Sequence, residues 1–92
     1  MKSIIQTEKE CFFCKTPLNL ENHHIYFGRN RKTADKDGCV CWLCVNHHTG
    51  AQGVHMNREK DLELKRICQR AWMEKNNKTI EDFISRYGKN YL

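Results

Sequence analysis

Residues Cys41–His55 read CWLCVNHHTGAQGVH, which places two cysteines and three histidines within fifteen positions. A second histidine pair lies upstream in ENHHIYFG, residues 21–28. The deciding question is how many metal sites these side chains build. CVCWLC (39–44) alternates as a strand does, with Cys39, Cys41 and Leu43 facing one way and Val40, Trp42 and Cys44 the other. VNHH (45–48) begins a short helix, and TGAQG (49–53) is a turn-rich loop that presents Val54 and His55.

Further upstream, ECFFCKTPL (10–18) reads as a metal knuckle closed by Thr16 and Pro17. Its Cys11 and Cys14 have the spacing that lets one tight turn aim two thiolates at a single zinc. A tetrahedral structural site needs two more ligands, and the chain offers two completions. Cys41 with Cys44 makes a four-cysteine site; Cys44 with His47 makes one of three cysteines and a histidine. On a strand Cys41 and Cys44 point to opposite faces, and Trp42 and Leu43 look more like core than like a turn. Val45 and Asn46 sit where the strand pattern ends, which favours Cys44 and His47. Cys39 and Cys41 are then small hydrophobes of the strand.

At 92 residues the chain is one domain, of a size that buries little surface without a metal, disulfides or a partner. It is 39% hydrophobic and 29% charged with a single proline, so it is neither disordered nor low-complexity. No apolar run approaches the roughly 18 residues of a membrane span, and MKSIIQTEKE lacks the apolar core of a secretory signal. These features predict a cytoplasmic protein with no membrane partner, in which six cysteines serve as metal ligands or buried thiols. The net charge of +5 is compatible with nucleic-acid binding.

Around this centre, residues 1–10 read as a polar lead-in and LENHHIYFG (20–28) as a strand ending at Gly28. RNRKTADKDG (29–38) reads as a charged loop ending in Gly38. Asn57 caps the longest periodic segment, REKDLELKRICQRAWMEKN (58–76), in which Leu64, Ile67 or Cys68, Ala71 and Trp72 form the core-facing stripe. Lys60, Lys65, Arg66 and Arg70 fall on its polar, solvated face. Thr79 and Asp82 make a capping-box start for a last helix with Phe83, Ile84 and Tyr87, stopped by Gly88. The fold class is α+β around metal, with knuckle and core over residues 11–56 and C-terminal helices over 57–92.

With His47 on zinc, His23, His24, His48 and His55 remain. Adjacent His23 and His24 on a strand point in opposite directions, so one can bind metal while the other addresses a substrate, unless the strand twists enough to bring both into one cleft. Taken together, CxxC, ENHHI, LCVNHH and GVH, with the ending YGKNYL (87–92), resemble the HNH or ββα-metal endonucleases over roughly residues 11–92. Within that group the chain looks like the small phage recombination-enhancement nucleases. The resemblance implies a zinc-stapled ββα-metal (His-Me finger) core with additional C-terminal helices, acting on DNA in a bacterial host cell. It implies His24 as the general base, and His23, His48 and His55 as ligands of a catalytic Mg2+, Mn2+ or Zn2+ separate from the structural zinc. Recombination proteins and a second copy of the chain are the partners it suggests.

The sequence departs from the family pattern at one point. The asparagine that orients the base in many HNH nucleases, about five residues before the second knuckle cysteine, is replaced by Cys39. Asn30, Asp35, Asp37 and Asn46 are the available substitutes, and the role stays unassigned. Arg29, Arg31 and Lys32 lie between the two strands, where they suit backbone phosphates. Only eight residues separate Cys14 from His23 and the histidines are adjacent, which excludes a C2H2 finger and predicts little sequence specificity. The competing expectation is a zinc-stabilised DNA-binding or protein-interaction module without catalysis.

Overall fold

The computed structural model describes residues 2–92. Two strands, β1 (Leu20–His24) and β2 (Val40–Cys44), pair antiparallel in a register running from Leu20 opposite Cys44 to His24 opposite Val40. β2 is buried along most of its length, whereas His23 is the one buried residue of β1. A helical turn, α2 (Val45–His48), follows β2 directly. The two long elements come last: α3 (Arg58–Asn76) and α4 (Ile80–Tyr87). The result is a small mixed α/β fold with a two-stranded sheet.

The sequence-predicted caps are all present. Asn57 Oδ1 accepts from the backbone N–H of Glu59 and Lys60, and Thr79 and Asp82 bond reciprocally at the start of α4. Gly88 closes α4 in the left-handed region, where no Cβ penalty applies. Leu64, Cys68 and Trp72 are the buried stripe of α3, with Ile67 and Ala71 at its half-buried margins. On α4, Phe83 and Tyr87 are buried while Ile84 faces outward.

The segment between the strands corrects the expected loop. Gly28–Asn30 form a 3-10 turn, and Arg31–Asp37 form a further helix, α1. Its helix-forming arginine, lysines and Ala34 show no apolar period, so nothing local marks it as helical. Tertiary anchors decide: Ala34 is fully buried, and Gly38 and Cys39 donate back to the carbonyls of Asp35 and Ala34. Residues 2–10 form no strand; Ile4 donates to the Gly38 carbonyl and packs with Ile5 against the core.

Asp37 joins three helices. Its carboxylate accepts from Trp72 Nε1 of α3 at 3.2 Å and from the Tyr87 hydroxyl of α4 at 2.7 Å, and it pairs with the Arg86 guanidinium. Burial alone would raise this carboxyl, but the hydrogen bonds from Arg86 and Tyr87 outweigh that and hold it below the ordinary carboxylate value. Because the folded value is the lower one, this stabilisation is full above the ordinary carboxylate pKa and is lost as pH falls through the folded value. Asp37→Ala strands the Trp72 donor, at about 1–3 kcal/mol, leaves the Tyr87 hydroxyl only its longer contacts to the Thr33 carbonyl and the Cys39 sulfur, and unpairs Arg86. A stability loss of roughly 3 kcal/mol in urea unfolding is expected; a change under about 0.5 kcal/mol, typical of a surface site, would show that the hub carries nothing.

The C-terminal residues strap the same core. Gln69 is fully buried on α3, a position the apolar stripe did not identify, and both ends of its amide are satisfied by the tail. Nε2 donates to Asn90 Oδ1 and Oε1 accepts from Tyr91 N–H, both at 2.8 Å. Arg66 Nε donates to the Tyr91 carbonyl, and the Tyr91 ring stacks on Tyr26 at 5.6 Å. This gives the YGKNYL ending a structural role. Removing residues 89–92 leaves the Gln69 amide unsatisfied and uncovers Tyr26, a cost of about 3 kcal/mol. A fall in Tm on the order of 15 °C by circular dichroism is expected.

The polar face of α3 also differs from expectation at Lys65. Rather than facing solvent, Lys65 is buried, bonds Asp61 at 2.8 Å and places its ammonium 4.2 Å from the centroid of the Phe27 ring. Its methylenes cover apolar surface while the charge is paired.

Candidate functional site

The knuckle comes together from three places in the chain. Lys15, in the left-handed region, turns the loop after Cys14, and the Phe12 N–H donates to the Trp42 carbonyl, which docks the loop on β2. β2 ends at Cys44, and the α2 turn then brings His47 round to the same point. Cys11, Cys14, Cys44 and His47 present their ligand atoms within 4.8 Å of one another. Cys14 and Cys44 Sγ are 3.8 Å apart, and His47 Nδ1 lies 3.3 Å from Cys44 Sγ and 3.7 Å from Cys11 Sγ. A zinc tetrahedron with Zn–S bonds of about 2.3 Å has sulfur–sulfur edges near 3.8 Å, so the spacing fits the ion.

The chemistry of the sulfurs agrees with that assignment. Burial would raise the Cys11 thiol, but backbone N–H groups of Cys14, Cys44 and Phe13 directed at its sulfur bring it below its usual value. Cys41 is placed elsewhere, on the core side of β2, and burial pushes its thiol up to about 12. It has the environment of a protonated core residue. Cys39 and Cys68 likewise lie in the core, and the hydrogen bond that Cys68 donates to Cys39, together with burial, raises the Cys68 thiol. Cys11, Cys14, Cys44 and His47 thus form a metal-binding group suited to zinc, with Cys39, Cys41 and Cys68 outside it.

A second group lies on the adjacent face. β1 turns His23 inward, and its ring centroid lies 5.1 Å from that of His48 and 5.4 Å from that of His55. His48 and His55 Nε2 are 3.1 Å apart, and one ring nitrogen from each of the three falls within 4.8 Å of the others. His48 takes its place as the residue after the zinc-group His47. His55 is brought back by the loop after α2, where Val54 and His55 donate to the carbonyls of His47 and His48. Glycine is required in that loop: a Cβ at Gly53 would collide with the His48 carbonyl, and one at Gly50 would lie 2.7 Å from Asn46 Cα.

Two observations test whether a metal fits here. His23 Nε2 is buried with no hydrogen-bond partner, which is costly unless something else engages the nitrogen. Its burial, then the neighbouring His48 and His55, push its pKa down to about 3, so the ring is neutral near pH 7 and its lone pair is free. His48 Nδ1 lies 2.8 Å from Glu21 Oε1, a carboxylate–histidine contact that orients Nε2 toward the cluster. Three imidazoles with one ring held by a carboxylate fit a divalent transition ion. Sequence reasoning missed Glu21, although strand alternation places it on the His23 face.

His24 lies outside this group. It contacts Asp35 on α1, Nε2 to Oδ1 at 3.2 Å, and lines a groove of about 400 Å³ with Arg31, Lys32 and Asp35. Arg29 is not part of that groove; its guanidinium lies beside Gly88 at the end of α4. Of the residues weighed as base-orienting, Asn30 donates to the Tyr87 carbonyl, Asp37 serves the helix hub, and Asn46 lies against Gly50. Among the described residues, no helix is long and apolar enough to cross a membrane. No family model, curated protein or solved structure matches this chain.

Proposed function

We propose that the protein is a metal-dependent DNA endonuclease of the ββα-metal type, in which one zinc staples the fold and a second divalent ion serves hydrolysis. The convergence of His23, His48 and His55 around a buried, unpaired imidazole nitrogen carries the reading. A structural zinc needs only the cysteine group, so a second histidine site calls for a separate task. A divalent ion held there would polarise the scissile phosphate and stabilise charge on the leaving 3′-oxygen. His24, the residue after His23 at the end of β1, takes a proton from the attacking water. Arg31 and Lys32, beside it, hold flanking phosphates of the backbone, a contact that carries no base information. The placement in phage or prophage recombination rests on the sequence resemblance alone.

The rival reading, a zinc-stabilised interaction module without catalysis, draws on Leu18 and Val45. They are 66% and 47% exposed and line one groove beside the knuckle. Supercoiled-plasmid nicking by the purified protein with Mg2+, Mn2+ or chelator separates the two, followed by single-stranded and branched DNA. Metal-dependent cleavage supports the nuclease. Its absence on all three substrates, with one tightly held zinc and no second ion bound, supports the module.

A further inference from the structure

α1, the helix that replaces the expected loop, sets the surroundings of His24. Arg31 and Asp35 are four residues apart and Lys32 and Asp35 three, so all three side chains share one face of α1. That face lines the groove with His24. Among the described residues, His24 is the one side chain that bonds the Asp35 carboxylate, and the Asp35 side chain is otherwise 67% exposed. Each of the other candidates for orienting the base is held elsewhere in the fold, and Cys39, which stands at the position of the family's asparagine, is buried beside Tyr87.

We propose that Asp35 is a positioning residue that fixes the ring orientation and tautomer of His24; the proposal rests on the nuclease reading for its use in the reaction. A carboxylate only accepts hydrogen bonds. Facing Nε2, it therefore selects the tautomer with the proton on Nε2 and leaves Nδ1 as the nitrogen with a free lone pair. A general base must offer that lone pair in a fixed direction to the water it deprotonates. Without Asp35 the ring, on the last residue of β1, is free to flip about its terminal torsion and to exchange tautomers. Arg31 and Lys32 on the same helix face then hold the phosphate where the fixed nitrogen can serve it, so α1 delivers the orienting group and the phosphate contacts together.

The test uses Asp35→Ala and Asp35→Glu in the full, zinc-loaded chain. Alanine is a better helix former than aspartate and the site is exposed, so the fold is kept; unchanged zinc content and Tm verify this. Nitrogen-15 NMR of the histidine rings reads the tautomer directly. His24 is expected to carry its proton on Nε2 in the wild type and in Asp35→Glu, and to populate both tautomers in Asp35→Ala. With supercoiled plasmid and Mn2+, Asp35→Ala is expected to lower kcat about 10- to 100-fold with KM changed less than about threefold, and Asp35→Glu to recover most of it. An unaltered His24 tautomer in Asp35→Ala overturns the proposal, whether or not the protein cuts DNA. Unaltered kcat in that variant, where the wild type cuts, overturns it as well. If the wild type cuts no DNA at all, the nuclease reading fails, and the NMR result still decides whether Asp35 holds His24.

Discussion

Cys11→Ser is expected to release the zinc and unfold the chain. Cys11 is fully buried, its sulfur receives three backbone N–H contacts, and it faces His47 across the metal group. A serine hydroxyl is not ionised near pH 7 and does not replace a thiolate on zinc. Structural zinc contributes about 10–16 kcal/mol in small metal-folded peptides, which matches or exceeds the 5–15 kcal/mol of a typical domain. The knuckle also docks β2 and α2, so its loss frees the elements that place His48 and His55. Zinc content after dialysis, read with far-ultraviolet circular dichroism, checks this. The matched control is Cys41→Ala, which removes a buried sulfur from the core but no ligand; it is expected to keep its zinc and most of its helicity. A folded Cys11→Ser protein with a full zinc complement, or a metal-free Cys41→Ala, would reverse the ligand assignment.

His24→Ala is expected to lower metal-dependent nicking by a factor of about 100 to 10,000, the range that a positioned general base supplies. Fold and metal content are expected to stay as they are, because His24 belongs to neither ligand group. His48→Ala is the informative companion. It removes an imidazole of the second group and leaves Glu21 without its partner, so the second ion is lost while the zinc stays. Isothermal titration with Mn2+ distinguishes the two variants: binding is retained in the first and lost in the second. Cleavage that survives in His24→Ala would remove the base assignment. Cleavage indifferent to His48→Ala would remove the histidine cluster from the reaction.

Much of this protein is visible in its residue pattern, because the relevant signals are local. The C-x2-C knuckle, the alternation of residues 39–44, the Asn57 cap and the Thr79–Asp82 box each lie within a few positions, and each is present in the fold. The choice between His47 and Cys41 follows the same logic, since strand geometry sends Cys41 to the opposite face from Cys44. The alternation also separates His23 from His24 before any contact is known.

Tertiary structure alone decided the rest. α1 has no apolar period, so its helicity depends on burying Ala34 and on Asp37 bonding two helices some 35 and 50 residues further along the chain. Lys65 and Gln69 break the rule that polar residues of a helix face water, because Asp61, Asn90 and Tyr91 satisfy them at sites no period reveals. The pairing of His24 with Asp35, rather than with Asn30, Asp37 or Asn46, required knowing that α1 exists and which way it faces. Periodicity and capping are read within one turn of helix or one step of strand. A hydrogen bond between distant side chains depends on where the whole chain has folded, and that is the scale on which this candidate site is assembled.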